Sequence, residues 1–238
     1  MRQPVLQYKG FVFKLIFANA IIFMFQIIGG GSYSSMIEYY ALTPALVAER
    51  GYVWQLVTYM FLHGNMLHIF FNMYALLIFG IPIEQEWGSR RFLFYYFFTG
   101  TGAGLTIFFI NFITKGAGYI SPTIGASGAV FGLLLAFGVL YPNAELLLFF
   151  FLPIKAKYLV FLYGALELYL ELSGPANGIY HVGHLGGLFF GIVFFLFFRK
   201  RSLSFKTKHL KAQILKSMSP GSAKATPETA ESGRSTEY

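Results

Sequence analysis

The chain contains no cysteine, which excludes disulfides, thiolate metal sites and a cysteine nucleophile. It also contains no aspartate; all ten acidic residues are glutamate. A Ser-His-Asp triad and a paired-aspartate site are therefore excluded, and no His-Glu-x-x-His zinc motif occurs. Charge of either sign is scarce. Only 12% of the 238 residues are charged, while 56% are hydrophobic and 20% aromatic; an average soluble domain carries about 25% charged residues. The net charge of +8 would suggest nucleic acid in a soluble protein. Here the basic residues flank apolar segments, so they are assigned to membrane topology, with the lipid bilayer as partner and no nucleic acid.

What the chain has instead is a series of apolar runs near the ~20 residues that cross a bilayer as a helix. Six spans are expected, at residues 11–28, 66–83, 92–113, 126–141, 158–172 and 179–198. The first lacks a small-residue cleavage site and reads as an uncleaved anchor. Residues 32–65 hold Tyr39, Tyr40, Leu46, Val53, Trp54, Leu56 and Phe61, a composition for a long loop lying half immersed in the membrane interface. The apolar run 146–152 is expected to be a buried loop or strand. Arg199-Lys200-Arg201 ends the last span. The chain thus divides into a membrane domain, 1–201, and a tail, 202–238, basic at first and then disordered. The expected class is an all-α membrane protein, a bundle of six transmembrane helices.

Six spans put both termini on one side. Arg2, Lys9, Lys14, Arg90, Arg91, Lys155, Lys157 and the basic tail share that side, against Arg50 and Lys115 on the other. The excess marks the cytoplasmic face. The short termini and missing targeting peptide favour a bacterial inner membrane. Spans two, four and six then begin at the outer surface. His68 and Asn72 fall in the first turns of span two, Ser127 at the start of span four and His184 in the first turns of span six. At 1.5 Å per residue all four lie roughly 2–10 Å below their helix starts. Polar groups from three segments at one depth in an apolar chain read as a site.

Two small-residue stripes, Gly128-x-x-x-Gly132 and Gly187-x-x-x-Gly191, are expected to face each other and let spans four and six pack closely. Ser127 and His184 would then meet as nucleophile and base. Phe131, four residues after Ser127, could stack on the imidazole and hold its plane. The start of span four supplies unpaired backbone N–H groups, and His68 and Asn72, at i and i+4, could donate to an oxyanion.

His63-Gly64-Asn65-Met66-Leu67-His68 with Asn72, Gly125-Ala126-Ser127-Gly128, and His184-Leu185-Gly186-Gly187 with Gly191 together resemble the rhomboid intramembrane serine proteases. Trp54-Gln55 resembles that family's loop motif, with Gln where Arg is common, and Glu84-x-x-x-Gly88 also fits. The resemblance covers roughly residues 11–198. It implies a six-helix rhomboid-like bundle with a long interfacial loop between helices 1 and 2, and a Ser127–His184 dyad. It further implies an oxyanion site from His68, Asn72 and the Ser127 N–H, supported by Gly125, Gly128, Gly187, Gly191 and Phe131, where the family commonly has Tyr. Neither cofactor nor metal is implied. Substrates would be single-span membrane proteins cut near the outer end of the span.

Blander readings stand beside these. A lone membrane serine is more often a packing residue, a weighting that His184 at matching depth reverses. His63 is assigned to structure, His181 to the interface, His209 to the tail, and Glu167 and Glu171 to snorkelling into water. Two other functions compete: an inactive rhomboid-like scaffold that binds membrane helices, and a channel or transporter. The scaffold is disfavoured because both dyad residues are present, the channel because the polar groups stop at one depth. A Ser127–Lys14 pair fails because Lys14 sits at the opposite end of the membrane.

Overall fold

In the computed structural model, residues 10–28, 32–148, 151–173 and 181–198 are described, and they are overwhelmingly helical. The first span forms α1 (Phe11–Ile28), at the expected bounds. Residues 32–65 are not an extended loop. They form three short helices, α2 (Ser32–Tyr40), α3 (Pro44–Arg50) and α4 (Gln55–Thr58), followed by one 3-10 turn, Tyr59–Phe61. There follow α5 (Met66–Trp87), α6 (Ser89–Thr114) and α7 (Ser127–Leu140). A two-stranded hairpin, β1 (Glu145–Leu148) and β2 (Leu152–Lys155), precedes α8 (Ala156–Leu172) and α9 (His181–Phe198). Residues 1–195 belong to one compact unit, to which the packing below refers. The expected tail, 202–238, lies outside the described residues, as does the start of the sixth span, 179–180.

Among the described residues, α1, α5, α6 and α9 are long and apolar enough to cross a membrane. The other two expected spans are shorter, 14 residues in α7 and 17 in α8. The described ends of the run 146–152 are stranded, with Glu145 opposite Lys155 and Leu148 opposite Leu152, but they are not a buried segment. Leu147, Phe151 and Leu152 are all exposed. A short continuous apolar run fits a strand wherever its faces meet something apolar, and lipid can serve as well as a protein core.

Local rules explain the breaks. Asn65 caps α5, its side-chain oxygen accepting from His68 N–H at 2.8 Å. Gly88, at φ +80°, separates α5 from α6. Glu84, on α5, reaches across to the start of α1 and takes the N–H groups of Phe11 and Val12 at 2.9 and 3.0 Å. It also accepts from the Ser89 hydroxyl. A carboxylate there meets two donors that the helix cannot satisfy itself, at the positive end of its dipole.

The centre of the bundle is α6 and α7. Nine of the 14 residues of α7 are buried; it packs on α5, α6 and α8. The two small-residue stripes meet only in part. A Cβ at Gly187 would collide with the Gly128 carbonyl, so α7 and α9 do touch backbone to backbone there. One turn on, Gly132 faces Thr99 of α6, where a Cβ would lie 2.6 Å away, and Gly191 lies against Leu135 and Tyr95. The second pair thus do not face each other: Gly132 is turned to α6, while Gly191 still meets α7 through the side chain of Leu135, with Tyr95 of α6 beside it.

We expect Gly187→Ala to lower the thermal midpoint of the detergent-solubilised protein by the equivalent of about 1–3 kcal/mol, the usual cost of overpacking. Gly164→Ala meets only the flexible end of Leu188 at 3.4 Å and should leave the midpoint unchanged.

Candidate active site

Ser127 is the first residue of α7, and its position is set by the segment just before it. Leu42 and Thr123 exchange backbone hydrogen bonds of 2.9 Å in each direction. Gly125 N–H donates to the Tyr59 carbonyl at 2.9 Å. Gly125 has φ +123°, and a Cβ on it would lie 2.7 Å from His68 Nε2. Glycine is thus required there twice, by backbone conformation and by the imidazole it admits. Tyr59 in turn donates its hydroxyl to the Gly100 carbonyl at 2.7 Å, and burial raises its pKa, which keeps it a neutral donor.

The structure brings Ser127 and His184 together. Ser127 Oγ lies 2.8 Å from His184 Nε2, the distance a base needs to take a hydroxyl proton. Phe131 stacks on the His184 ring, centroids 4.3 Å apart and planes 8° from parallel. The aromatic face fixes the plane of the imidazole and leaves its two nitrogens to the edges.

The other edge holds what the sequence reading missed. His184 Nδ1 lies 2.9 Å from Glu167 Oε2, bent away from hydrogen-bond alignment. The same oxygen is 2.6 Å from His181 Nδ1. Glu167 is 7% exposed and His181 6%, so Glu167 does not snorkel into water, contrary to expectation, and His181 is enclosed by protein. Glu171, one turn along α8, accepts from Val182 N–H at 3.1 Å. The absence of aspartate excluded an aspartate triad; it left a glutamate free to stand in that place. Glu167, His181 and His184 also bring three donor atoms within 4.8 Å of one another, the residue types of a metal site.

His68 Nδ1 accepts from Gly64 N–H at 3.3 Å. Its proton is thereby assigned to Nε2, the nitrogen facing Gly125 beside Ser127. Asn72 is buried, and its amide donates to the His68 carbonyl at 2.9 Å. One of its two amide hydrogens is therefore used within its own helix. His63 is fully buried, its backbone held on both sides by Gln26 of α1 at 3.1 and 3.2 Å. Its ring meets His68 edge-on at 5.0 Å. Gln55 is likewise buried and structural: it accepts from Thr43 N–H and donates to the Glu38 and Tyr39 carbonyls. The Trp54 indole N–H donates to the Tyr39 carbonyl at 2.8 Å.

A family model described as Rhomboid domain matches residues 50–201. The chain belongs to the rhomboid family. Rhomboid protease GluP of Bacillus subtilis is 31% identical over 183 residues, covering 76% of this chain and 33% of GluP. Rhomboid protease AarA of Providencia stuartii is 26% identical over 199 residues, 74% of this chain and 68% of AarA. RHOMBOID-like protein 5 of Arabidopsis thaliana is 32% identical over 123 residues, 47% of this chain and 38% of that protein. The chain spans only part of the length of such relatives, from 22% of one Arabidopsis protein to 68% of AarA. With its long apolar helices, this rhomboid protein is an integral membrane protein.

Burial and the neighbouring His68 ring lower the pKa of His63, in the loop before α5, to about 4. The unfolded chain therefore binds a proton between about pH 6.5 and 4 that the folded protein refuses. Stability present above pH 6.5 should be lost progressively as pH falls to about 4, by up to about 3 kcal/mol. A series of thermal midpoints against pH should slope through that window, less steeply in His63→Leu.

Proposed function

We propose that this rhomboid protein is an intramembrane serine endopeptidase acting through a Ser127–His184 dyad. The observation that carries the reading is the 2.8 Å contact between Ser127 Oγ and His184 Nε2, made between two different helices under a stacked Phe131. A packing serine would need only a backbone carbonyl on its own helix, as Thr99 and Thr106 have here.

In this reading Ser127 Oγ attacks the carbonyl carbon of the scissile peptide as its proton passes to His184 Nε2. The oxygen that becomes negative is met by backbone N–H groups at the open start of α7 and by His68 Nε2–H. Asn72 contributes its remaining amide hydrogen. The imidazolium then protonates the leaving amine, the C–N bond breaks, and a water attacks the acyl-enzyme by the same route in reverse. The supporting glycines act through geometry: Gly125 admits His68, and Gly128 with Gly187 allows α7 and α9 to close.

Helix length is compatible with the membrane setting. The 14 residues of α7 rise only about 21 Å, less than the ~30 Å hydrocarbon core. A helix that short ends inside the membrane on at least one side; in this reading that end is Ser127, at the level of a transmembrane substrate's upper turns. Substrates are accordingly single-span membrane proteins, cut near the outer end of the span, where small or helix-breaking residues free the backbone. The excess of Lys and Arg beside one set of helix ends supports cytoplasmic termini around the membrane domain 1–201. That GluP and AarA are bacterial proteins favours a bacterial plasma (inner) membrane, while other relatives are mitochondrial.

The purified protein in proteoliposomes should cleave a model single-span substrate. Ser127→Ala and His184→Ala should each lower that rate by about 10⁴-fold or more while the fold is kept. A serine-reactive phosphonate should label the wild type and not Ser127→Ala. Undiminished cleavage by Ser127→Ala rejects the dyad; a wild type that neither cleaves nor labels points to the inactive scaffold.

A further inference from the structure

We propose that Glu167 is a positioning residue for His184, its carboxylate lying beside Nδ1, off the hydrogen-bond axis, and favouring by its charge the form with the ring proton on Nδ1 and Nε2 bare toward Ser127. This rests on the dyad reading above and adds to it a third, acidic member from a third helix. Three observations carry it. Glu167 Oε2 lies 2.9 Å from His184 Nδ1, on the edge of the ring opposite Ser127. Glu167 is one of only three buried residues on α8, the others being Ala156 and Leu159. It is thus an acidic side chain turned inward from a helix otherwise largely exposed. And the α8–α9 register is pinned independently one turn away, where Glu171 holds Val182 N–H.

The chemistry follows. A neutral imidazole carries its proton on one nitrogen, and an acceptor beside Nδ1 selects the tautomer in which Nε2 can accept. When Ser127 gives up its proton the ring becomes a cation, and a carboxylate 2.9 Å away lowers the energy of that state in an environment with little water. Phe131 supplies no charge; it fixes the plane only. His181 shares the same oxygen at 2.6 Å and keeps the carboxylate aimed, by a hydrogen bond that does not involve the reacting atoms.

The bare alternative, that Glu167, His181 and His184 hold a metal, fits the spacing poorly. Tetrahedral ligands at 2.0–2.1 Å from zinc stand ~3.3 Å apart, whereas here the carboxylate sits within hydrogen-bond distance of both rings.

Glu167→Gln is the test, in the full-length protein. Its amide can donate to Nδ1 and drive the ring proton to Nε2, the wrong tautomer. The phosphonate labelling rate constant of Ser127 should fall by about 10²-fold or more with the probe's apparent affinity unchanged, and Glu167→Asp should restore part of it. Nitrogen-15 spectra of ring-labelled protein, with His184 assigned by its loss in His184→Ala, should show the proton on Nδ1 in the wild type and Glu167→Asp, and displaced in Glu167→Gln. Labelling of Glu167→Gln within about twofold of wild type overturns the proposal, and so does a wild-type His184 protonated on Nε2. The second readout decides the matter if Glu167→Gln folds poorly. It also does so if the wild type proves inactive, in which case the protease reading fails while the role of Glu167 is still judged by the tautomer.

Discussion

The site depends on one close approach of two backbones. Gly187 of α9 rests on the carbonyl of Gly128 in α7, with no room for a methyl group between them. Ser127 and His184 are each within three residues of that contact. Side chains as short as serine and histidine can meet at 2.8 Å only if the axes that carry them are nearly touching. In lipid, where apolar surface gains nothing by leaving the solvent, contact of this kind holds helices together through van der Waals packing and buried hydrogen bonds.

The rest of the bundle sets the angle of that approach. α6 occupies the wedge between α7 and α9 with its own small residues. Ala103 lies opposite Gly128, Thr99 opposite Gly132, and Gly102 receives the ring of Phe190. The hydroxyl of Tyr95 donates to the Gly132 carbonyl at 2.6 Å, a buried polar bond in the same interface. α7 and α9 therefore meet backbone to backbone at the end that carries the site, and one turn on through the side chain of Leu135 against Gly191.

Much of this was legible in residue spacing. The first span was readable to the residue because apolar composition and flanking glycines bound it sharply. Phe131 over His184 followed from the i+4 rule once Ser127 was placed. The facing of Gly128 and Gly187 followed from their position just after the two polar residues, but that of Gly132 and Gly191 did not. Periodicity gives the face of a helix and not which of two neighbours it meets. Residues 32–65 were too rich in aromatics for a free loop, yet their short helices are set by tertiary bonds such as those of Gln55 and Trp54, which leave no repeat in the sequence. The strands at 145–155 were half legible: the apolar run was visible, while its exposure depends on lipid lying where a soluble protein would have core.

Glu167 was the costly omission. A glutamate inside an apolar helix calls for a named partner, and the sequence offered candidates in His181 and His184. What hid the pairing is that α8 shows no strong one-sided pattern; it exposes apolar residues around most of its circumference, so nothing in its composition says which way position 167 faces. The energetics say why the position is tolerable. A carboxylate removed from water is strongly destabilising when alone, and becomes affordable only beside donors that match it. Here the hydrogen-bond partner is His181, and the His184 ring beside the carboxylate becomes a cation during the proposed reaction. The arrangement is thus least well matched at rest and best matched when His184 holds the serine proton. An interaction that strengthens as the reaction proceeds lowers the barrier rather than merely tightening binding. That property separates a working third residue from a structural tie between α8 and α9.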